Sequence, residues 1–167
     1  MIEALQNIGF VVKRRTEIKE LSPFFLQRYS NLPADYLKFL NEFQLITNED
    51  DNVWFNSIED FNEEVDNGFR WNEFEIMSLD ALKDDKEACE EIRNFWNTHI
   101  PIAMAVGGEY QYLCIDLSPN NYGKIYYGLE PEFEDSADFV CDSFNQLLGL
   151  LSSDSEDNRL IPFKMSS

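Results

Sequence analysis

Residues 99–151 constrain the fold more than any other part of this chain, because an apolar run, a Gly-Gly turn, two alternating segments and an apolar helical stripe follow one another closely. Residues 100–106 are short and almost wholly apolar, the pattern of a strand covered on both faces, and predict a central place in a sheet. After Gly107-Gly108, alternation separates Leu113, Ile115 and Leu117 from Tyr110, Tyr112, Cys114 and Asp116, so the two sets lie on opposite faces of one strand. In the returning strand Ile125, Tyr127 and Leu129 join the first, core-facing set, and Lys124, Tyr126, Gly128 and Glu130 join the second. Matching the faces requires an even offset, and pairing Asp116 with Lys124 sets Ile115 opposite Ile125 and Leu113 opposite Tyr127. The second face then bears Tyr110, Tyr112 and Tyr126, edged by Glu109 and Glu130. Two arrangements are open for it. Either it meets a partner, for which tyrosine's apolar body and hydrogen-bonding tip are suited, or a helix of the same chain covers it.

The rest of the chain supplies helices. Thr16 can cap one running through Leu21 and Phe25, although Ser22-Pro23 can restart it, since proline suits a first turn and disrupts an interior. From Pro33, Tyr36, Leu37, Phe39, Leu40 and Phe43 fall at helical spacing. Val53-Trp54-Phe55 is a strand candidate after an acidic turn, Asn67-Gly68 marks another turn, and residues 74–77 read as a strand leading to Ser78 as a helix cap. Leu82, Cys89, Ile92 and Trp96 form a stripe with acids on the opposite side, and Val140, Phe144, Leu147, Leu148 and Leu151 form another. These segments predict one α+β domain over residues 1–151. Its antiparallel or mixed sheet centres on 100–130, packed by helices near 33–45, 79–97 and 137–151. A polar tail, 152–167, either docks back through 160–163 or frays.

Charge narrows the partners. The net charge of −19 is uneven: residues 1–40 hold six basic and four acidic residues, whereas residues 41–167 hold seven basic and 28 acidic. Direct binding to phosphate backbones is disfavoured, because it relies on Lys and Arg releasing counterions. A basic partner is favoured, since a strong field of one sign speeds encounter with the other, although the same charge also serves solubility. No window approaches the roughly 18–20 apolar residues that cross a bilayer, and the N-terminus lacks a basic region followed by an apolar run. Cys89, Cys114 and Cys141 are odd in number and widely spaced, which fits a reduced cytoplasm and no zinc site.

Catalytic signatures are lacking. His99 is the only histidine and lies at the start of a buried strand, away from any nucleophile, and no phosphate-binding or dinucleotide-binding glycine loop occurs. Asp50 and Asp51 do not have the ligand spacing of a calcium loop. Any two of the 32 acids can lie at glycosidase separations, so abundance singles out no pair. No cofactor and no metal is expected.

The order His99-Ile100-Pro101-Ile102-Ala103, Gly107-Gly108-Glu109-Tyr110, Leu113-Cys114-Ile115-Asp116-Leu117, Gly123-Lys124-Ile125-Tyr126-Tyr127 and Ser143-Phe144-Asn145-Gln146-Leu147-Leu148 resembles the SUKH superfamily. Upstream, the segment Leu32-Pro33-Ala34-Asp35-Tyr36-Leu37-Lys38-Phe39-Leu40 is similar to that family's early helix, so two blocks in the family's order cover roughly two thirds of the chain. The resemblance implies a SUKH fold and a role in binding rather than catalysis. Most members are bacterial immunity proteins that neutralise a cognate toxin, often a nuclease, and fungal cell-wall regulators are relatives. On this resemblance the expected function is a cytoplasmic immunity protein that occludes a toxin's active site, with no direct contact to nucleic acid or membrane. A regulatory scaffold for several partners is the alternative, and an acidic hydrolase a distant third. Tyr110, Tyr112 and Tyr126 are the expected partner-facing anchors, with Glu109, Glu130, Glu132, Glu134 and Asp135 as a charged rim.

Overall fold

The computed structural model describes residues 2–65 and 68–164, so the first residue of the expected Asn67-Gly68 turn lies outside the described residues. Seven strands form one antiparallel sheet in chain order: β1 (Val11–Arg14), β2 (Phe43–Thr47), β3 (Val53–Phe55), β4 (His99–Ala105), β5 (Gln111–Asp116), β6 (Ile125–Leu129) and β7 (Asp138–Cys141). The helices are α1 (Ile2–Asn7), α2 (Pro23–Arg28), α3 (Ala34–Glu42), α4 (Ile58–Phe61), α5 (Glu73–Ala81), α6 (Lys86–Thr98) and α7 (Phe144–Leu151), with a short 3₁₀ turn at Ile161–Phe163. This is a single-domain α+β fold, and the superfamily's expected class is met.

The register read from alternation holds. Ile115 pairs with Ile125 and Leu113 with Tyr127, and the Asp116 N–H donates to the Lys124 carbonyl at 2.9 Å. Consequently Leu113, Ile115, Ile125 and Tyr127 enter the main core, where α3 and α7 pack over them through Tyr36, Phe39, Phe144 and Leu147. The other face carries Met104, Tyr112 and Cys114 into a smaller core with Phe74, Ile92, Trp96 and Phe133. Of the two arrangements left open by the sequence, the covered one is realised at Met104, Tyr112 and Cys114, while Tyr110 and Tyr126 at the margins are half-buried.

Several boundaries differ from expectation, each for a local reason. No helix starts at Thr16; Ser22 caps α2 by accepting the Phe25 N–H at 3.2 Å, with Pro23 in the first turn. The helix from Pro33 ends at Glu42 because Phe43 turns extended and starts β2. Residues 74–77, expected as a strand, belong to α5, where Phe74 and Ser78 are buried one helical turn apart. Glu75 is buried beside them because Arg28 grips its carboxylate with two bonds of 2.8 and 2.7 Å. The helix expected over 79–97 is two helices: Leu82 is exposed at the end of α5, and Asp85 caps α6 by accepting the Ala88 N–H at 3.0 Å. The expected helix over 137–151 divides likewise, since 138–141 pairs with β6 and Ser143 then caps α7. The tail docks back through fully buried Leu160 and Phe163. Arg159 bridges it to β7 through the Asp138 carboxylate at 2.7 Å and the Phe139 carbonyl at 2.6 Å, covering part of that edge strand.

Candidate partner-binding surface

In a meander, alternate turns share one end of the sheet. The β2–β3 turn, the β4–β5 turn and the β6–β7 loop therefore lie together, and an added Cβ on Gly107 would fall 2.6 Å from the Asn52 side chain. Glu49, Asp50 and Asp51 come from the first turn, Glu109 from the second, and Glu130, Glu132, Glu134 and Asp135 from the third, with no basic residue in the three segments. Acids far apart in sequence thus form one acidic edge. Glu49, Asp50, Asp51, Glu109, Glu132 and Asp135 are exposed.

The expected contact residues separate into distinct places. Tyr112 is fully buried, so it is corrected from partner anchor to core residue: α5 and α6 cover it, and its hydroxyl donates to the Phe133 carbonyl. Gly128 makes room for it, since a Cβ there would lie 2.3 Å from the Tyr112 hydroxyl. Tyr126 is half-buried between His99 and Phe139, at ring separations of 5.9 Å from each. Tyr110 is half-buried at the acidic end, stacked on Phe74 at 6.0 Å and edge-on to Phe69 at 5.2 Å. Its N–H donates to Glu130 Oε1 at 3.1 Å, so Glu130 closes the β5–β6 ladder as well as charging the edge.

Glu134 holds the acidic loop down. Its Oε2 accepts the Ser78 hydroxyl at 2.9 Å and the Trp96 indole N–H at 2.8 Å, which seats Phe133 against Phe74 at 4.4 Å. Burial raises the Glu134 pKa and nearby Asp135 adds to the rise, against the opposing hydrogen bonds from Trp96 and Ser78. A carboxyl whose pKa is raised by folding favours the folded state below its unfolded pKa, and that contribution is lost as pH rises through the folded value. Glu134→Gln keeps an acceptor oxygen and removes the charge. It is expected to melt about 1–2 °C above the parent at neutral pH and to converge with it as the solution is acidified through the carboxylate range, read by thermal unfolding across pH.

The helices leave the β1–β3 part of the same sheet face open. There Leu45, Trp54, Phe69 and Val106 line a groove of about 410 Å³, whose other walls include Lys13, Asp51, Glu59 and Asp60. Trp54 is held in one orientation: its indole N–H donates to Asn56 Oδ1 at 2.8 Å, and the buried Asn56 amide donates to the Pro101 carbonyl at 2.8 Å. Proline supplies no N–H at the β4 bulge, and Asn56 reaches across to its carbonyl. The groove meets the acidic edge at Asp51 and, through Phe69, at Tyr110.

A model of the SMI1 / KNR4 family (SUKH-1) matches residues 26–149. This chain belongs to that family. Comparisons with curated proteins and with solved structures each find no match. The SUKH-1 match runs from α2 to α7 and takes in the acidic edge, Trp54 and the small core around Tyr112. Among the described residues, no helix of this SUKH-1 protein is long and apolar enough to cross a membrane. Sequence reasoning marked Trp54 only as part of a strand. What sets it apart is its pairing with Thr47 and Met104, which puts it on the face that the helices leave open.

Proposed function

We propose that this SUKH-1 protein is a cytoplasmic immunity protein that binds a cognate toxin and covers its active site or substrate groove, acting by occlusion and without catalysis. The observation that carries the reading is the acidic edge: three turns distant in sequence bring eight acids to one end of the sheet. A nuclease toxin presents basic residues to phosphate, and an inhibitor with this edge exploits the same field. Tyr110 stands at the edge as its aromatic contact, with Glu109, Glu132 and Asp135 as rim charges and half-buried Glu130 among them; Tyr126, half-buried beside His99, lies toward the other end of the sheet and stands apart from this contact. The buried free cysteines Cys89, Cys114 and Cys141 are in keeping with a reduced compartment.

Exposed rim charges act chiefly on encounter. Replacing Glu109, Glu132 and Asp135 together with Ser is expected to slow association with the purified product of the adjacent gene by about tenfold at low salt and to flatten its salt dependence, with dissociation little changed. Association kinetics over a salt series measure this. Identical salt curves for parent and variant would remove the electrostatic part of the proposal, and weak binding to several unrelated proteins would favour a scaffold.

A further inference from the structure

The groove over β1–β3 has the composition of a docking site for a particular kind of chain segment. Leu45 is 44 % exposed, yet it lies on the same face as half-buried Trp54, two residues from Thr47, which pairs with Trp54 across the β2–β3 ladder. Phe69 closes the far wall at 6.3 Å from the Trp54 ring. An aromatic side chain that is fixed by a buried amide and still accessible loses little freedom on binding, the usual property of an interface anchor.

The charge around this apolar floor is mostly acidic. Asp51, Glu59 and Asp60 stand at the walls, and exposed Glu49 and Asp50 precede Asp51 in the same turn. Glu59 is answered by Arg15 at 2.8 and 2.9 Å, while Asp60 is tied to the Ser57 N–H at 2.9 Å and hydroxyl at 3.1 Å as part of the α4 cap. Asp51 accepts the Thr47 hydroxyl at 3.0 Å. Burial raises the Asp60 pKa, against its hydrogen bonds from Ser57, and the charges of Glu59 and Asp51 add to the rise, while, against burial, the Arg15 guanidinium holds the Glu59 pKa down. An entering cation is attracted by Asp51 and Asp60 in the lining, whereas an entering anion is repelled. Lys13 is the basic residue in the lining, and it is exposed.

We propose that the Trp54 groove receives a segment of the protein partner in which an aliphatic or aromatic side chain sits beside Lys or Arg. The apolar side chain packs on Trp54 and Leu45, and the cation lies toward Asp51. This rests on the immunity reading only in identifying the partner as a toxin; the groove's preference for such a segment stands apart from it.

The test uses the 167-residue chain as bait for a displayed library of random peptides, followed by titration of the selected peptides in solution. Trp71 and Trp96 are 8 % and 2 % exposed, so a change in tryptophan emission reports chiefly on Trp54. Selected peptides are expected to carry an apolar residue next to Lys or Arg and to shift that emission to the blue. Leu45→Lys is expected to weaken them about tenfold, and Asp51→Asn by a smaller factor that vanishes at high salt. Leu37→Lys, the same charge change at an exposed position of α3 on the opposite side of the sheet, leaves binding unchanged. Selection of no peptide, selection of peptides without basic residues, or equal binding by Leu45→Lys would overturn the proposal. If groove peptides bind but the adjacent gene's product does not, the groove stands and the toxin reading falls. If that product binds parent and Leu45→Lys equally, the toxin reading stands and the groove falls.

Discussion

Trp96→Ala is expected to lower the stability of this SUKH-1 protein by about 3–5 kcal/mol, read as a fall in urea midpoint at unchanged slope. The side chain is 2 % exposed at the centre of the second core, 5.1 Å from the Tyr112 ring and edge-on to Phe95 at 4.8 Å. Its loss removes the apolar contact and leaves a cavity between α6 and the sheet, and it also takes the indole donor from Glu134, loosening the acidic loop. Tyr29 would keep its own partner, because its hydroxyl donates to the Trp96 backbone carbonyl at 2.5 Å. Trp96→Phe should cost less than half as much. An unchanged midpoint for Trp96→Ala would mean that α6 does not seal this face.

The second large effect is electrostatic. Arg28 closes two hydrogen bonds on Glu75, donates a third to Asn97 Oδ1 at 3.0 Å, and lies 5.3 Å over the Tyr29 ring. Glu75 is only 8 % exposed at its side chain, whereas Arg28 is 26 % exposed. Arg28→Met strands the Glu75 carboxylate in the protein and is expected to cost about 2–4 kcal/mol near neutral pH, toward the low end because water reaches the arginine side. The double variant Arg28→Met with Glu75→Leu should recover most of that loss, since replacing both members of a buried pair by apolar groups is often neutral. A double-mutant cycle by urea unfolding checks this, and additive losses would contradict the account.

The parts legible in the sequence were those in which one period ran unbroken. Tyr112 to Asp116 and Ile125 to Leu129 alternate cleanly, so their faces and register follow from side-chain period alone. Cys89, Ile92 and Trp96 likewise give one buried helical stripe. Short elements gave no such signal. β1 is four residues with exposed Lys13 and Arg14, β7 is four residues with exposed Phe139, and the apolar run in α5 is too brief for its period to distinguish helix from strand. Each acidic stretch was visible singly, yet their convergence comes from the meander, which no local pattern encodes. Tyr112 showed the same difficulty: alternation assigned its face correctly, and only the position of α5 and α6 decided that the face is closed there and open at Trp54.

The most direct test is growth rescue. The chain is co-expressed with the product of its adjacent gene, with and without Glu109, Glu132 and Asp135 reversed to Lys, and each pair is then purified. The account predicts rescue by the parent through a stable complex, and weakened rescue by a charge-reversed variant that still folds. No rescue and no complex with the parent would contradict it.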